Sequence, residues 1–226
     1  MWYRSSIGKK ALMAISGLIL LGFVIAHLLG NLLIYQGPEA INAYAKKLRN
    51  LGPLLWAVRL FLLASVLVHV WTSILVSREN AKARPIPYRL KRSRVTSAAA
   101  RTMLLSGCLV IAYLVYHVLH FTFRVAHPEL SRATDALGHV DVYTMMVFSF
   151  QQWAISLAYI VGMALLCLHL SHGTASSFQT LGITNEHTLP IVTHISRLLA
   201  LVLFLGYSSI PVAALLGWLP LPGGLL

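Results

Sequence analysis

The sequence predicts an all-α integral membrane protein with five transmembrane helices, and three observations carry that expectation. Of its 226 residues, 58% are hydrophobic and the mean hydropathy is +0.74, more apolar surface than a soluble chain of this length buries. Five stretches are long enough to cross hydrocarbon at about 1.5 Å of rise per residue: residues 11–35, 53–77, 102–123, 147–171 and 195–216. All the carboxylates (Glu39, Glu79, Glu129, Asp135, Asp141 and Glu186) lie outside these stretches. That placement argues against a di-metal carboxylate site or a proton relay through buried acids. Residues 1–226 read as a single transmembrane domain.

The first span follows Arg4, Lys9 and Lys10 and runs about 25 residues, too long for the apolar part of a signal peptide, so it reads as a retained helix. After it, Pro38 opens a short segment with Ile41, Tyr44 and Leu48 on one helical face and Lys46, Lys47 and Arg49 elsewhere. That pattern suggests an interfacial helix on the outer surface, favoured over a lid on a lipophilic site. In the fifth span, Pro211 is expected to kink or end the helix.

The net charge of +12 sits in the connecting segments, so it sets orientation and does not point to nucleic acid. With the N-terminus cytoplasmic, twelve of the 18 basic residues fall on the inner side and six on the outer. The asymmetry favours an inside N-terminus and hence an outside C-terminus, and the expected location is the inner (cytoplasmic) membrane, as a multi-pass protein. The basic segment 78–100 has two readings, attraction to anionic lipid headgroups or docking of an acidic soluble partner. Cys108 and Cys167 lie inside spans and form no CxxC. A disulfide framework, a zinc site or an iron–sulfur cluster on this chain is thereby excluded, and any cluster belongs to another subunit.

The first four spans each carry histidine: His27, His69, His117 with His120, and His169 with His172. A buried ionisable side chain needs a partner and marks a functional position by default. Depth sorts these residues. His27 and His117 each lie about 24 Å in from the cytoplasmic edge, in the outer half; His69 lies about 24 Å from the outer edge and His169 near its helix's inner end, in the inner half. Two histidines from two helices at one depth suit bis-histidine ligation of a b-type haem, and two pairs imply two haems, about 12 Å apart in depth. His120 and His172 follow a ligand by three residues on the same helical face. Hydrogen bonding to propionate, quinone or water is favoured over an HxxH metal site, for which no further ligand is in view. His127, His139 and His187 fall in loops. Gly17, Gly22, Gly30, Gly107, Gly162 and Gly173 either let a flat macrocycle approach the backbone or serve close helix packing.

These residues resemble a family: the five-helix, single-chain dihaem cytochrome b anchor of succinate:quinone oxidoreductase, related to the membrane subunit of menaquinol:fumarate reductase. The resemblance rests on His27-Leu-Leu-Gly-Asn31 followed by Gly37-Pro-Glu-Ala-Ile-Asn42, on Leu67-Val-His69, on Gly107 ten residues before His117, and on His169-Leu-Ser-His-Gly173 with Gly182-Ile-Thr184 downstream. It covers essentially the whole chain. It implies a proximal haem b on His69 and His169, a distal one on His27 and His117, and a quinone, expected to be menaquinone, as substrate. It also implies a flavoprotein subunit and an iron–sulfur subunit as partners, the dicarboxylate chemistry residing there, in a respiratory complex II of the tricarboxylic acid cycle. Fumarate-reducing members can carry glutamate two residues before the last ligand; Cys167 stands there, which favours succinate oxidation. Candidate quinone-site residues are Asn31, Glu39, Arg59 and His120 on the outer side, with an inner site near the basic loop as the alternative. Lys10, Arg101, Ser16 and Ser171 are candidate propionate partners. A haem b carrier of a hydrogenase or formate dehydrogenase, and a metal transporter built on HxxH pairs, stand as the other readings.

Overall fold

The computed structural model describes residues 5–83, 102–125, 134–135 and 137–221. It is 83% helix, with no strand among the described residues. The helices are α1 (Ser6–Asn31, continued by a tight turn Leu32–Gln36), α2 (Pro38–Arg49), α3 (Pro53–Lys82), α4 (Met103–His117, continued by a π turn Val118–Thr122), α5 (Val142–Phe150), α6 (Trp153–Thr180) and α7 (Thr188–Leu215). Five are long and apolar enough to cross a bilayer: Ser6–Gln36, Pro53–Lys82, Met103–Thr122, Trp153–Thr180 and Thr188–Leu215. Large apolar side chains such as Leu60, Leu67 and Trp71 stand exposed on α3, as expected of a multi-pass membrane protein whose outer solvent is hydrocarbon. Arg101, His127 and most of the basic segment 78–100 lie outside the described residues.

Helix ends differ from those read from hydropathy, and local chemistry explains how. The fourth apolar run begins on a separate helix, α5, which Asp141 caps by accepting from the Thr144 N–H at 2.9 Å. Val147 and Ser149 are fully buried there, so that part of the run faces protein and not lipid. Helix α6 then continues past Ser171 to Thr180, because hydroxyls such as Ser177 donate to carbonyls one turn back and leave no polar group unmet. It stops at Gly182, whose φ of +72° closes a Schellman turn with Gly182 N–H to Gln179 C=O and Ile183 N–H to Phe178 C=O. Helix α7 carries Pro211 inside it and runs on to Leu215. Gly217 ends it by the same device, with Trp218 N–H on Ala213 C=O.

The chain forms two compact units. One comprises Met1–Val24, Ala57–Ser106 and Leu168–Ala200; in it an ion pair between Lys9 and Glu79 joins the start of α1 to the end of α3. The other comprises Ile25–Trp56, Gly107–Cys167 and Leu201–Leu226, and holds a core in which Ile34, Ile41, Val147, Phe150, Tyr159 and Ile210 are buried.

Within that second unit α2 is more than a surface element, since its Ile41 and Asn42 are buried. The Asn42 carbonyl accepts from the N–H groups of Val142 (2.8 Å) and Tyr143 (3.0 Å). Its amide donates to Asp135 and Asp141, both at 3.2 Å. One side chain therefore ties α2 to the turn before α5. Loss of water pushes the Asp135 carboxyl upward, but the His139 N–H, the Asn42 amide, the Leu137 N–H and the His139 ring together hold it below its ordinary value.

Asn42→Ala strips the half-buried Val142 and the buried Tyr143 amides of their acceptor and should cost about 3 kcal/mol, read as a lowered thermal midpoint in detergent. Because the Asp135 carboxyl is lowered on folding, its contribution is complete above about pH 4 and disappears as pH falls through the lowered value. Amide exchange at Leu137 and His139 should accelerate, relative to the intrinsic rate, only below that range.

Candidate functional site

A half-buried imidazole inside an apolar span has two nitrogens to satisfy, and for His69, His169 and His117 the structure shows where one of them goes. In the first unit, His69 projects from α3 and its Nδ1 lies 3.0 Å from the Met13 carbonyl of α1. Ser16 stands beside it, with its hydroxyl donating to the Leu12 carbonyl at 2.7 Å and lying 3.5 Å from the same Nδ1. Gly17 makes the approach possible: a Cβ there would sit 3.1 Å from His69 Cε1. His169 on α6 places its Nδ1 3.3 Å from the Ser106 hydroxyl of α4, which donates onward to the Met103 carbonyl at 3.1 Å. The two rings are 6.2 Å apart, centre to centre, with planes at 73°.

The second unit repeats the arrangement with His27 of α1 and His117 of α4. Their ring centres lie 5.9 Å apart and their planes at 82°. Tyr207 of α7 flanks His27 at 6.4 Å, while the Tyr159 hydroxyl of α6 lies 3.4 Å from His117 Nδ1. Tyr113 packs 6.3 Å from His117 and needs Gly162 opposite, where a Cβ would fall 2.2 Å from the tyrosine ring.

The spacing lies within the ordinary packing range of aromatic rings, about 4.5–7 Å, and it also leaves room for one metal between the two imidazoles. Two metal–nitrogen bonds of about 2.0 Å separate the nitrogens by about 4 Å, and each ring centre lies about 1 Å further out, giving about 6 Å in all. With Nδ1 engaged as a donor on three of the four rings, Nε2 carries the free lone pair, which is how metal-ligating histidines are usually oriented. Among the described residues no three of His, Cys, Asp and Glu gather as ligands. Each pair brings two imidazoles together, and a porphyrin, with four nitrogens of its own, needs two ligands from a protein to complete its iron.

The other sequence candidates fall elsewhere. His120 is 3% exposed, with Nδ1 3.0 Å from the Tyr159 hydroxyl and Nε2 3.2 Å from the Ser149 hydroxyl; both nitrogens meet protein groups. His172 turns to Ser176 on its own helix, 3.0 Å away. Asn31 ends α1 and Glu39 stands exposed in the first turn of α2, while Arg59 is exposed on α3 in the other unit. Ser16 lies beside His69, and Ser171 donates to the Leu168 carbonyl at 2.8 Å. Lys10 lines a shallow cavity of about 300 Å³ with Ile7, Ser176, Gln179 and Thr180. Tyr159, Tyr113, Ser106 and the Met13 carbonyl were missed in the sequence. Their signal was available: a hydroxyl inside an apolar span needs a partner as much as a histidine does.

Comparison with family models, curated proteins and solved structures gives no match.

The glycine contacts separate packing from open space. Gly162→Ala gains about 1 kcal/mol of helix propensity but drives a methyl into the Tyr113 ring, an overpacking worth about 1–3 kcal/mol, so the thermal midpoint should fall. Gly22→Ala, with nothing within 4 Å of the new methyl, should hold or raise it.

Proposed function

We propose that the chain is the membrane-anchoring cytochrome b subunit of a succinate:quinone oxidoreductase. It binds one haem b between His69 and His169 and a second between His27 and His117, and passes electrons from an iron–sulfur subunit to a membrane quinone. The observation that carries the reading is the pair of ring separations, 6.2 and 5.9 Å, each matching an iron shared by two imidazoles. Haem b supplies a one-electron centre whose potential its axial ligands help set.

The chain's own residues do the rest. The Met13 carbonyl and the Ser106 hydroxyl hold the rings of one pair by their Nδ1 atoms, and Tyr159 holds His117 of the other. The choice of succinate:quinone oxidoreductase among haem b carriers rests on the motifs around His27, His69, His117 and His169. Cys167, buried on α6, supports the succinate-oxidising direction, with the flavoprotein and iron–sulfur subunits as partners and menaquinone as the quinone.

Pyridine haemochromogen analysis of the purified protein should give two haem b per chain. His69→Ala and His169→Ala should lose the same haem, and His27→Ala and His117→Ala the other, while His172→Ala keeps both. A folded preparation without haem, or haem loss from His172→Ala with His169→Ala inert, contradicts the proposal.

A further inference from the structure

His117 differs from its counterparts in the other unit in where its Nδ1 leads. There, His69 meets a backbone carbonyl directly and His169 reaches one through a single serine. Here the contacts continue from His117 Nδ1 to the Tyr159 hydroxyl (3.4 Å), to His120 Nδ1 (3.0 Å), from His120 Nε2 to the Ser149 hydroxyl (3.2 Å), and from Ser149 to the Met145 carbonyl (2.7 Å). The last group is a carbonyl and only accepts. Ser149 therefore donates to it and accepts from His120 Nε2–H; His120 Nδ1 accepts from Tyr159, whose oxygen accepts from His117 Nδ1–H. Every bond in the chain points one way, and the outcome leaves His117 Nε2 as a lone pair.

The fold goes to some length to build this. The π turn Val118–Thr122, closed by Phe123 N–H on Val118 C=O at 2.9 Å, carries His120. Phe121 stacks on the His120 ring at 4.1 Å, and Phe150 packs 5.0 Å from Tyr159. A π turn interrupts an α-helix at some cost and is often found at functional positions. Aligned bonds in a water-poor surrounding polarise one another, so each added acceptor increases the electron donation of the first imidazole.

We propose that Tyr159, His120 and Ser149 are positioning residues for His117, forming a directional hydrogen-bond chain that makes this imidazole the more electron-rich ligand and lowers the potential of the haem it binds. The inference rests on the cytochrome reading above. Electron donation favours ferric over ferrous iron, so cutting the chain raises the potential. The size of the effect falls with distance from His117.

The test is an optical redox titration of the haem-loaded protein, after haem content has been fixed for each variant. Tyr159→Phe should raise one of the two midpoints by about 59 mV, a tenfold change in relative ferrous and ferric affinity for a one-electron couple. Ser149→Ala should raise the same midpoint by less, and Ser106→Ala should move only the other. If Tyr159→Phe loses its haem, Ser149→Ala and His120→Gln decide: a rise in that midpoint supports the chain, and no change overturns it. Two haems with unmoved potentials in Tyr159→Phe sink the inference alone, whereas a wild-type protein without haem removes the cytochrome reading and the inference with it.

Discussion

An imidazole inside an apolar helix has one nitrogen that donates and one that accepts, and neither meets water there. Much of the local structure around His27, His69, His117 and His169 follows from that constraint. One nitrogen of His69 is met by a backbone carbonyl, that of His169 by a serine and that of His117 by a tyrosine. Meeting that nitrogen restrains the ring and leaves the other nitrogen as the one with a lone pair to offer. Close packing serves the same end: Gly17 yields space to His69 and Gly162 to Tyr113. The glycines in contact with the site residues thus admit side chains.

Sequence reasoning reached the five spans because hydropathy and length are averages over many residues. It paired the histidines because helical rise converts residue number into depth. It did not separate α5 from α6, since an apolar run facing lipid and one facing protein have the same composition. The difference lies in Asp141, Asn42 and the Gln151–Gln152 break, which act through tertiary contacts. Pro211, expected to kink or end its helix, does not end it: it is carried within α7, where a membrane helix with packed neighbours accommodates the missing donor.

His120 was visible as a polar residue on the ligand helix, yet its role was not. Three-residue spacing suggested a shared face turned toward a cofactor or substrate. The π turn alters that register, and both ring nitrogens end on Tyr159 and Ser149. Neither the turn nor its aromatic packing has a local sequence signal, whereas the hydroxyl of Tyr159 inside an apolar helix does. Asking of every polar group in a span where its hydrogen bonds end would have found the tyrosine, and through it the histidine.

If each pair shares one iron, as proposed, and the ring planes keep the near-perpendicular angles of this structure, 73° and 82°, the axial imidazoles are crossed. Low-temperature electron paramagnetic resonance of the oxidised protein addresses this directly, because crossed axial imidazoles give a highly anisotropic low-spin ferric signal and parallel ones a rhombic signal. The account predicts two highly anisotropic low-spin signals and no substantial high-spin iron. A rhombic pair, a single low-spin signal, or high-spin five-coordinate haem would contradict it.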